Sequence, residues 1–246
     1  PALAAVAQLS RLKLLSGERI CVPTVKSCSI VSRDNRKIDA ARRRNDVTFV
    51  LGVTGSIATG KTTAVNVFKE FGIPVVDGDQ VARKIVAPNE PALAAIVSTF
   101  GQEMLTKTGQ LNRKRLGDIV FNDPQKRKQL DDLLDGYLRE EILRQIRTSA
   151  AQAPIVVADI PLLFERGYEQ YMDQVAVVYI PQTLQLARLM SRDQLSEKEA
   201  QQRIDSQLSI EEKAARGDWV IDNQGEPSQT RQQIQDWLQA HHFIEN

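Results

Sequence analysis

Gly55-Ser56-Ile57-Ala58-Thr59-Gly60-Lys61-Thr62 is the stretch on which the fold of this chain turns. It satisfies the pattern of glycine, four residues, glycine, lysine and then serine or threonine that makes a phosphate-binding loop. The flanks carry the context the pattern needs. Val47–Val53 is a short apolar run that predicts a buried strand, and Thr62–Phe71 predicts a helix ended near Gly72. Glycines let successive backbone N–H groups turn inward toward phosphate oxygens, and the helix adds its positive N-terminal end. Lys61 then suits a position between β and γ phosphates, and the Thr62 hydroxyl suits Mg²⁺.

Beyond the loop, strands alternate with helices, the grammar of a parallel sheet with crossover helices. Strands are predicted at Ile73–Val76, Ile155–Val157 leading to Asp159, Val175–Ile180 and Trp219–Asp222. Helices are predicted at Gln80–Ile85, Ala92–Phe100, Arg113–Phe121, Pro124–Ser149 and Gln229–Ala240. A charged helical hairpin, Thr183–Arg192 and Glu197–Gln207 with Ser196 as N-cap, fills the space between Pro181 and Arg216.

Bulk properties narrow the function classes. The 246 residues are 42% apolar and 26% charged, enough for one generous domain. Residues 1–46 hold 10 Lys/Arg against 4 Asp/Glu, whereas the remainder holds 22 against 27 and is mildly acidic. That balance argues against a nucleic-acid-binding body. No apolar run approaches the roughly 20 residues of a membrane span. Cys21 and Cys28 do not match a common zinc spacing, so no metal or disulfide framework is expected. Residues 1–46 contain Arg42-Arg43-Arg44 and lack strand–turn–helix order. We read them as an extension outside the fold, a disordered arm or a cloning artefact, whose first 15 residues suit a short amphipathic helix. A leader resembling a transit peptide and a nucleic-acid-binding tail stay open.

A phosphate loop is shared by kinases, switch GTPases and motors, so other residues must choose. No Asn-Lys-x-Asp element for guanine is present. The chain after the leader is short for a motor. A small-molecule kinase is the reading that remains, with a nucleotide-binding regulator as its rival from another class. Asp79 stands just past the second strand, where a carboxylate would face the cleft and take a proton from an acceptor hydroxyl. The residues alone leave open whether Asp77 and Asp79 instead cap the next helix. Asp159 ends an apolar strand, the setting of a carboxylate that holds Mg²⁺ directly or through water. Arg188 and Arg192, four residues apart, share one helix face.

Four separated blocks in this order resemble the dephospho-CoA kinase family over about Thr48–Trp237. They are Leu51-Gly52-Val53-Thr54-Gly55 with the loop; Val75-Val76-Asp77-Gly78-Asp79 with Ala82-Arg83; Asp159-Ile160-Pro161-Leu162-Leu163-Phe164-Glu165; and Arg188-Leu189 through Gln207 to Asp218 and Asn223. The resemblance implies an α/β P-loop NTPase fold: a five-stranded parallel sheet with helices on both faces, a helical acceptor-binding region at about 83–149 and a lid at about 183–216. It implies transfer from ATP to the ribose 3′-hydroxyl of dephospho-CoA, the last step of coenzyme A biosynthesis. ATP would be held by Gly55, Ala58, Thr59, Gly60, Lys61, Thr62, Thr63 and Asn223, and Mg²⁺ by Thr62 and Asp159. Asp79, Lys61 and Arg188 would be catalytic. Asp79, Arg83, Leu162, Leu163 and Phe164 would meet the acceptor. For Arg192, Arg203 and Arg216 a solvated charged face is expected, and Gln207 and Asn223 also suit a helix cap and a turn. A cytoplasmic monomer or weak homo-oligomer is expected, with no nucleic-acid or membrane partner. The chain departs from the family where Leu134-Asp135-Gly136-Tyr137 replaces a His-Pro pair expected at a helix start, where Gly217-Asp218 replaces Ala-Asp, and where Ser56 replaces the second loop glycine.

Overall fold

The computed structural model describes residues 48–245. The predicted amphipathic helix and the basic leader lie outside them. Five parallel strands form one sheet: β1 (Phe49–Gly55), β2 (Val75–Asp77), β3 (Ile155–Asp159), β4 (Gln174–Tyr179) and β5 (Trp219–Asp222). Their spatial order is β2-β3-β1-β4-β5, the five-stranded parallel sheet that was expected.

Alternation along each strand divides the core in two. Leu51 and Val53 of β1, Ile155 and Val157 of β3, and Ala176 and Val178 of β4 face one side. There they meet Val65 and Phe68 of α1 (Lys61–Glu70) and Ile234, Trp237 and Leu238 of α9 (Pro227–Ala240). Val156, Ala158, Val175 and Val177 face the other side. Most of these strand residues are wholly buried, as a sheet covered on both faces requires.

The second face is covered by α2 (Gly78–Lys84), α3 (Pro91–Phe100), α4 (Arg113–Asn122) and α5 (Pro124–Ala150). Asp123 caps α5 by accepting from Gln125 N and Lys126 N, and Pro124 sits at its first turn. The Leu134–Tyr137 stretch therefore lies inside a continuous helix of 27 residues and starts none. Without a proline the amide ladder continues through Gly136.

The charged hairpin proves to be three helices: α6 (Gln182–Asp193), α7 (Glu197–Ile204) and α8 (Ile210–Arg216). Ser196 caps α7 in a full capping box with Glu199, as expected. The third helix was missed because Ser209, its cap, follows only a short break after α7. No helix among the described residues is long and apolar enough to cross a membrane.

Candidate active site

The sheet order places the carboxyl ends of β2, β3 and β1 side by side, with Asp77 in register with Asp159 and Val53 also opposite Asp159. A strand-order reversal at β1 opens a crevice there, the general location of ligand sites in open α/β sheets. Residues 55–62 leave β1 at this edge and turn into α1. Two residues supply the turn: Ala58 (φ 62°) and Gly60 (φ 83°) both occupy the left-handed region. The alanine is unexpected, since a left-handed L-residue costs about 1–2 kcal/mol. Neighbouring contacts hold the loop in that shape.

Those contacts come from far along the chain. Gln207 Oε1 accepts from Ile57 N (2.9 Å), and Gln185 Nε2 donates to Ile57 O (2.7 Å). Asn223 Nδ2 donates to Thr59 O (2.8 Å), while its Oδ1 accepts from Thr230. Thr59 is itself wholly buried, with its hydroxyl donating to Ser56 O (2.9 Å). Ile57 packs on Leu189, Ala200 and Ile204, so α6 and α7 rest directly on the loop.

Lys213 ties the same region from beneath. Its side chain is wholly buried, and its ammonium pairs with Glu165 (2.9 Å) and donates to Pro161 O (3.1 Å) and Gly55 O (3.3 Å). Glu165 Oε1 also accepts from Leu208 N (3.2 Å). One buried cation thus joins the start of the loop, the segment after β3 and the approach to α8. Neither Gln185 nor Lys213 was singled out from the sequence. Glu211-Glu212-Lys213 reads as an exposed helix face, and only packing shows otherwise.

At the crevice, Lys61 forms an ion pair with Asp159. Burial pushes the Asp159 carboxyl above its ordinary range, the Lys61 ammonium pulls against that rise, and the nearby Asp77 and Asp79 add to it. Asp77 is the α2 cap, accepting from Gln80 N (3.0 Å). Asp79 is not the cap. It lies one step into α2, half-buried, on the wall of a pocket. The capping alternative therefore holds for Asp77 alone.

That pocket, about 120 Å³, is lined by Asp79 and Ala82 of α2, Leu134, Leu138 and Ile142 of α5, and Leu162 after β3, among others. Leu162, one of the residues expected to meet the acceptor, lines this pocket. Leu163 and Phe164 are corrections: both are buried in the core and outside the pocket wall, Leu163 against Gly52 and Phe164 beneath the Arg216 guanidinium. In the turns after β3 the chain points Leu162 at the pocket and the next two apolar side chains into the core. Arg83 is exposed and also outside this wall. Asp135, in the stretch that departs from the family, pairs with Arg139 (2.9 Å), which also donates to Arg166 O (3.1 Å).

On the other side of the loop runs an open groove lined by Ala58, Gly60, Thr63, Arg188, Arg192 and Asn223, among others. Arg188 donates to the carbonyls of Asn223 (3.2 Å) and Gln224 (3.4 Å). Arg192 reaches the groove, contrary to a purely solvated role, though it also pairs with Asp193. Arg203 and Arg216 are engaged in ion pairs with Asp193 and Glu169. For a divalent cation the fit is that of hard oxygen donors: the exposed Thr62 at the head of α1 and the Asp159 carboxylate, in a field made negative by Asp77 and Asp79. Among the described residues no cluster of three acidic, histidine or cysteine side chains forms a self-sufficient metal cage. Such a site suits an ion that arrives with phosphate oxygens of its own.

Comparison with known proteins agrees with this arrangement. A family model for dephospho-CoA kinase matches residues 49–229. The chain is 56% identical over 193 residues to the dephospho-CoA kinase of Enterococcus faecalis, covering 78% of this chain and 97% of that one. It is 45% identical to the enzyme of Latilactobacillus sakei, covering 79% and 96%. The solved dephospho-CoA kinase of Campylobacter jejuni superposes with a TM-score of 0.63 at 36% identity, over 77% of this chain and 95% of that one. A kinase sheet, a held phosphate loop and these relatives together place the chain in the dephospho-CoA kinase family.

Proposed function

We propose that this protein transfers the γ-phosphoryl group of ATP to the 3′-hydroxyl of the dephospho-CoA ribose, giving coenzyme A and ADP. The observation that carries the reading is the position of Asp79. It lies on the wall of the apolar pocket and is close enough to Asp159, the partner of Lys61, to raise its pKa. An acceptor in that pocket and phosphates in the loop would meet between these side chains.

The step follows from the residues present. Backbone N–H groups of residues 55–62 and the start of α1 hold the phosphates, with Thr63 and Asn223 along the groove. Asp79 accepts the 3′-hydroxyl proton as the ribose oxygen bonds to the γ-phosphorus, and the bond from that phosphorus to the β,γ-bridging oxygen breaks. Lys61 leaves Asp159 for the phosphates, which frees the carboxylate. Arg188 contributes positive charge from α6. Bound Mg²⁺, held by Thr62 and Asp159, would neutralise charge on the phosphate oxygens. Residues 183–216 cover the loop and exclude water, which protects ATP from hydrolysis.

Incubation with ATP, Mg²⁺ and dephospho-CoA should yield coenzyme A by mass, and shikimate or nucleosides should be poor acceptors. Asp79→Asn should lower kcat about 10²–10⁴-fold with ATP affinity retained. Wild-type turnover in that variant would remove Asp79 as the base. A protein that binds ATP yet forms no coenzyme A would favour a regulator.

A further inference from the structure

The carbonyls of the phosphate loop are taken up by groups around it. Gly55 O accepts from Lys213 Nζ (3.3 Å), Ser56 O from the Thr59 hydroxyl (2.9 Å), Ile57 O from Gln185 Nε2 (2.7 Å) and Thr59 O from Asn223 Nδ2 (2.8 Å). A trans peptide points its C=O and the N–H that follows to opposite sides, so a carbonyl held outward turns the next N–H inward. Handedness agrees. Ala58 and Gly60 are left-handed and Thr59 between them is not, the alternation that makes an anion nest.

Ala58 is the weak point of this arrangement. Gly60 adopts its φ of 83° freely, whereas Ala58 at φ 62° carries the strain of a left-handed L-residue. Turning over the peptide between Ile57 and Ala58 changes that φ by about half a turn and returns Ala58 to the ordinary region. The same turn takes an N–H out of the groove that Ala58 lines. It leaves the Ile57 carbonyl oxygen in its place, where it would repel phosphate.

Gln185 opposes that turn. It lies in the first turn of α6, wholly buried, and its Nε2 is the donor on Ile57 O. Its Oε1 is buried too, with no hydrogen-bond partner among the described residues. A buried amide oxygen left so costs free energy that an apolar side chain of the same size would not incur. Packing alone therefore does not call for glutamine here, and the donor does. Gln207 holds the preceding peptide, through Ile57 N (2.9 Å), and leaves this one free to turn. Gln185, Arg188 and Arg192 recur at helical spacing on α6, and both arginines line the groove.

We infer that Gln185 is a positioning residue for the phosphoryl donor. It locks the Ile57–Ala58 peptide in the orientation that receives the triphosphate, and without it the peptide turns over and closes the nest. The inference rests on the loop holding ATP, as proposed above, and gives Gln185 no contact with the nucleotide.

The test is ATP binding by calorimetry without acceptor, then steady-state kinetics, on Gln185→Met and on Gln185→Met combined with Ala58→Gly. Methionine keeps the length and the apolar body and removes the donor. The single variant should bind ATP about 10-fold more weakly, as loss of a buried hydrogen bond implies, with the KM for dephospho-CoA within about two-fold of wild type. Adding Ala58→Gly should recover at least about three-fold, because glycine is unstrained at this φ and the drive for the turn disappears. A side chain that only packed would gain nothing from that glycine. A crystal structure of Gln185→Met should show Ile57 O turned into the groove. Thermal unfolding is followed alongside, and Gln185→Leu carries the same comparison should the Met variant not fold. ATP affinity within two-fold of wild type in the folded variant overturns the inference, as does a loss that Ala58→Gly leaves untouched. Wild-type protein that binds ATP but makes no coenzyme A would strike the proposed reaction and leave the role of Gln185 standing.

Discussion

Lys213→Met tests whether one buried ammonium organises the site. The side chain has no exposure, and its pairing with Glu165 at 2.9 Å is joined by contacts to the Pro161 and Gly55 carbonyls. Methionine matches its length and apolar body, so little of the packing is lost. The electrostatic loss dominates. Glu165 is left mostly buried, its side chain 18% exposed, with Leu208 N as a remaining donor. Breaking a buried pair from one side costs about 3–5 kcal/mol. In a domain of this size each kcal/mol lowers the unfolding temperature by about 2–4 °C, so a fall of roughly 6–20 °C is expected. Glu165→Gln added to Lys213→Met should restore more than half of that fall, because no uncompensated charge then remains. The assay is thermal unfolding by circular dichroism at pH 7, with ATP binding measured below the transition. Nucleotide affinity should drop in the single variant as well, since Gly55 O begins the loop. A loss under about 1 kcal/mol, or a double variant as unstable as the single one, would refute the assignment of Lys213 as an internal tie.

Gly60→Ala should abolish nucleotide binding while leaving the protein folded. Its φ of 83° is strained for alanine, and the new Cβ would overlap Asn223 Nδ2, the group that holds Thr59 O; unchanged ATP affinity would contradict the loop geometry. Asn223→Ala should raise the KM for ATP by about ten-fold through loss of that hold, as removal of a buried hydrogen bond implies, and a normal KM would argue against it. Tyr168 sets a limit at high pH. Burial pushes its phenol up to about 12, and its hydroxyl has no hydrogen-bond partner. The unfolded phenol loses its proton near pH ~10 while the folded one keeps it, so stability is full below pH ~10 and falls as pH rises toward ~12. The loss is on the order of 3 kcal/mol, and Tyr168→Phe should remove it. Parallel stability curves for the two proteins above pH 10 would refute the shift.

Much of the molecule was legible in the sequence because its signals are local. Glycine-lysine-threonine spacing after an apolar run depends on backbone geometry over eight residues, and the five strands are short apolar runs that a covered parallel sheet requires. The same local grammar placed Asp79 just past a strand, Asp159 at a strand end and Ser196 at a cap. It misjudged Leu163 and Phe164, since every residue of an apolar loop looks alike until a sheet beneath it takes some side chains inward.

Tertiary structure alone decided what holds the loop and where charge is stored. Gln185, Gln207, Lys213 and Asn223 lie more than 120 residues from the backbone groups of the loop they bind, and no spacing rule reaches that far. Lys213 is written among acids and reads as surface, yet it is the most buried cation described. Burial and pairing are properties of assembled elements: the free energy of a charge depends on what surrounds it in space, which the order of residues along the chain does not state.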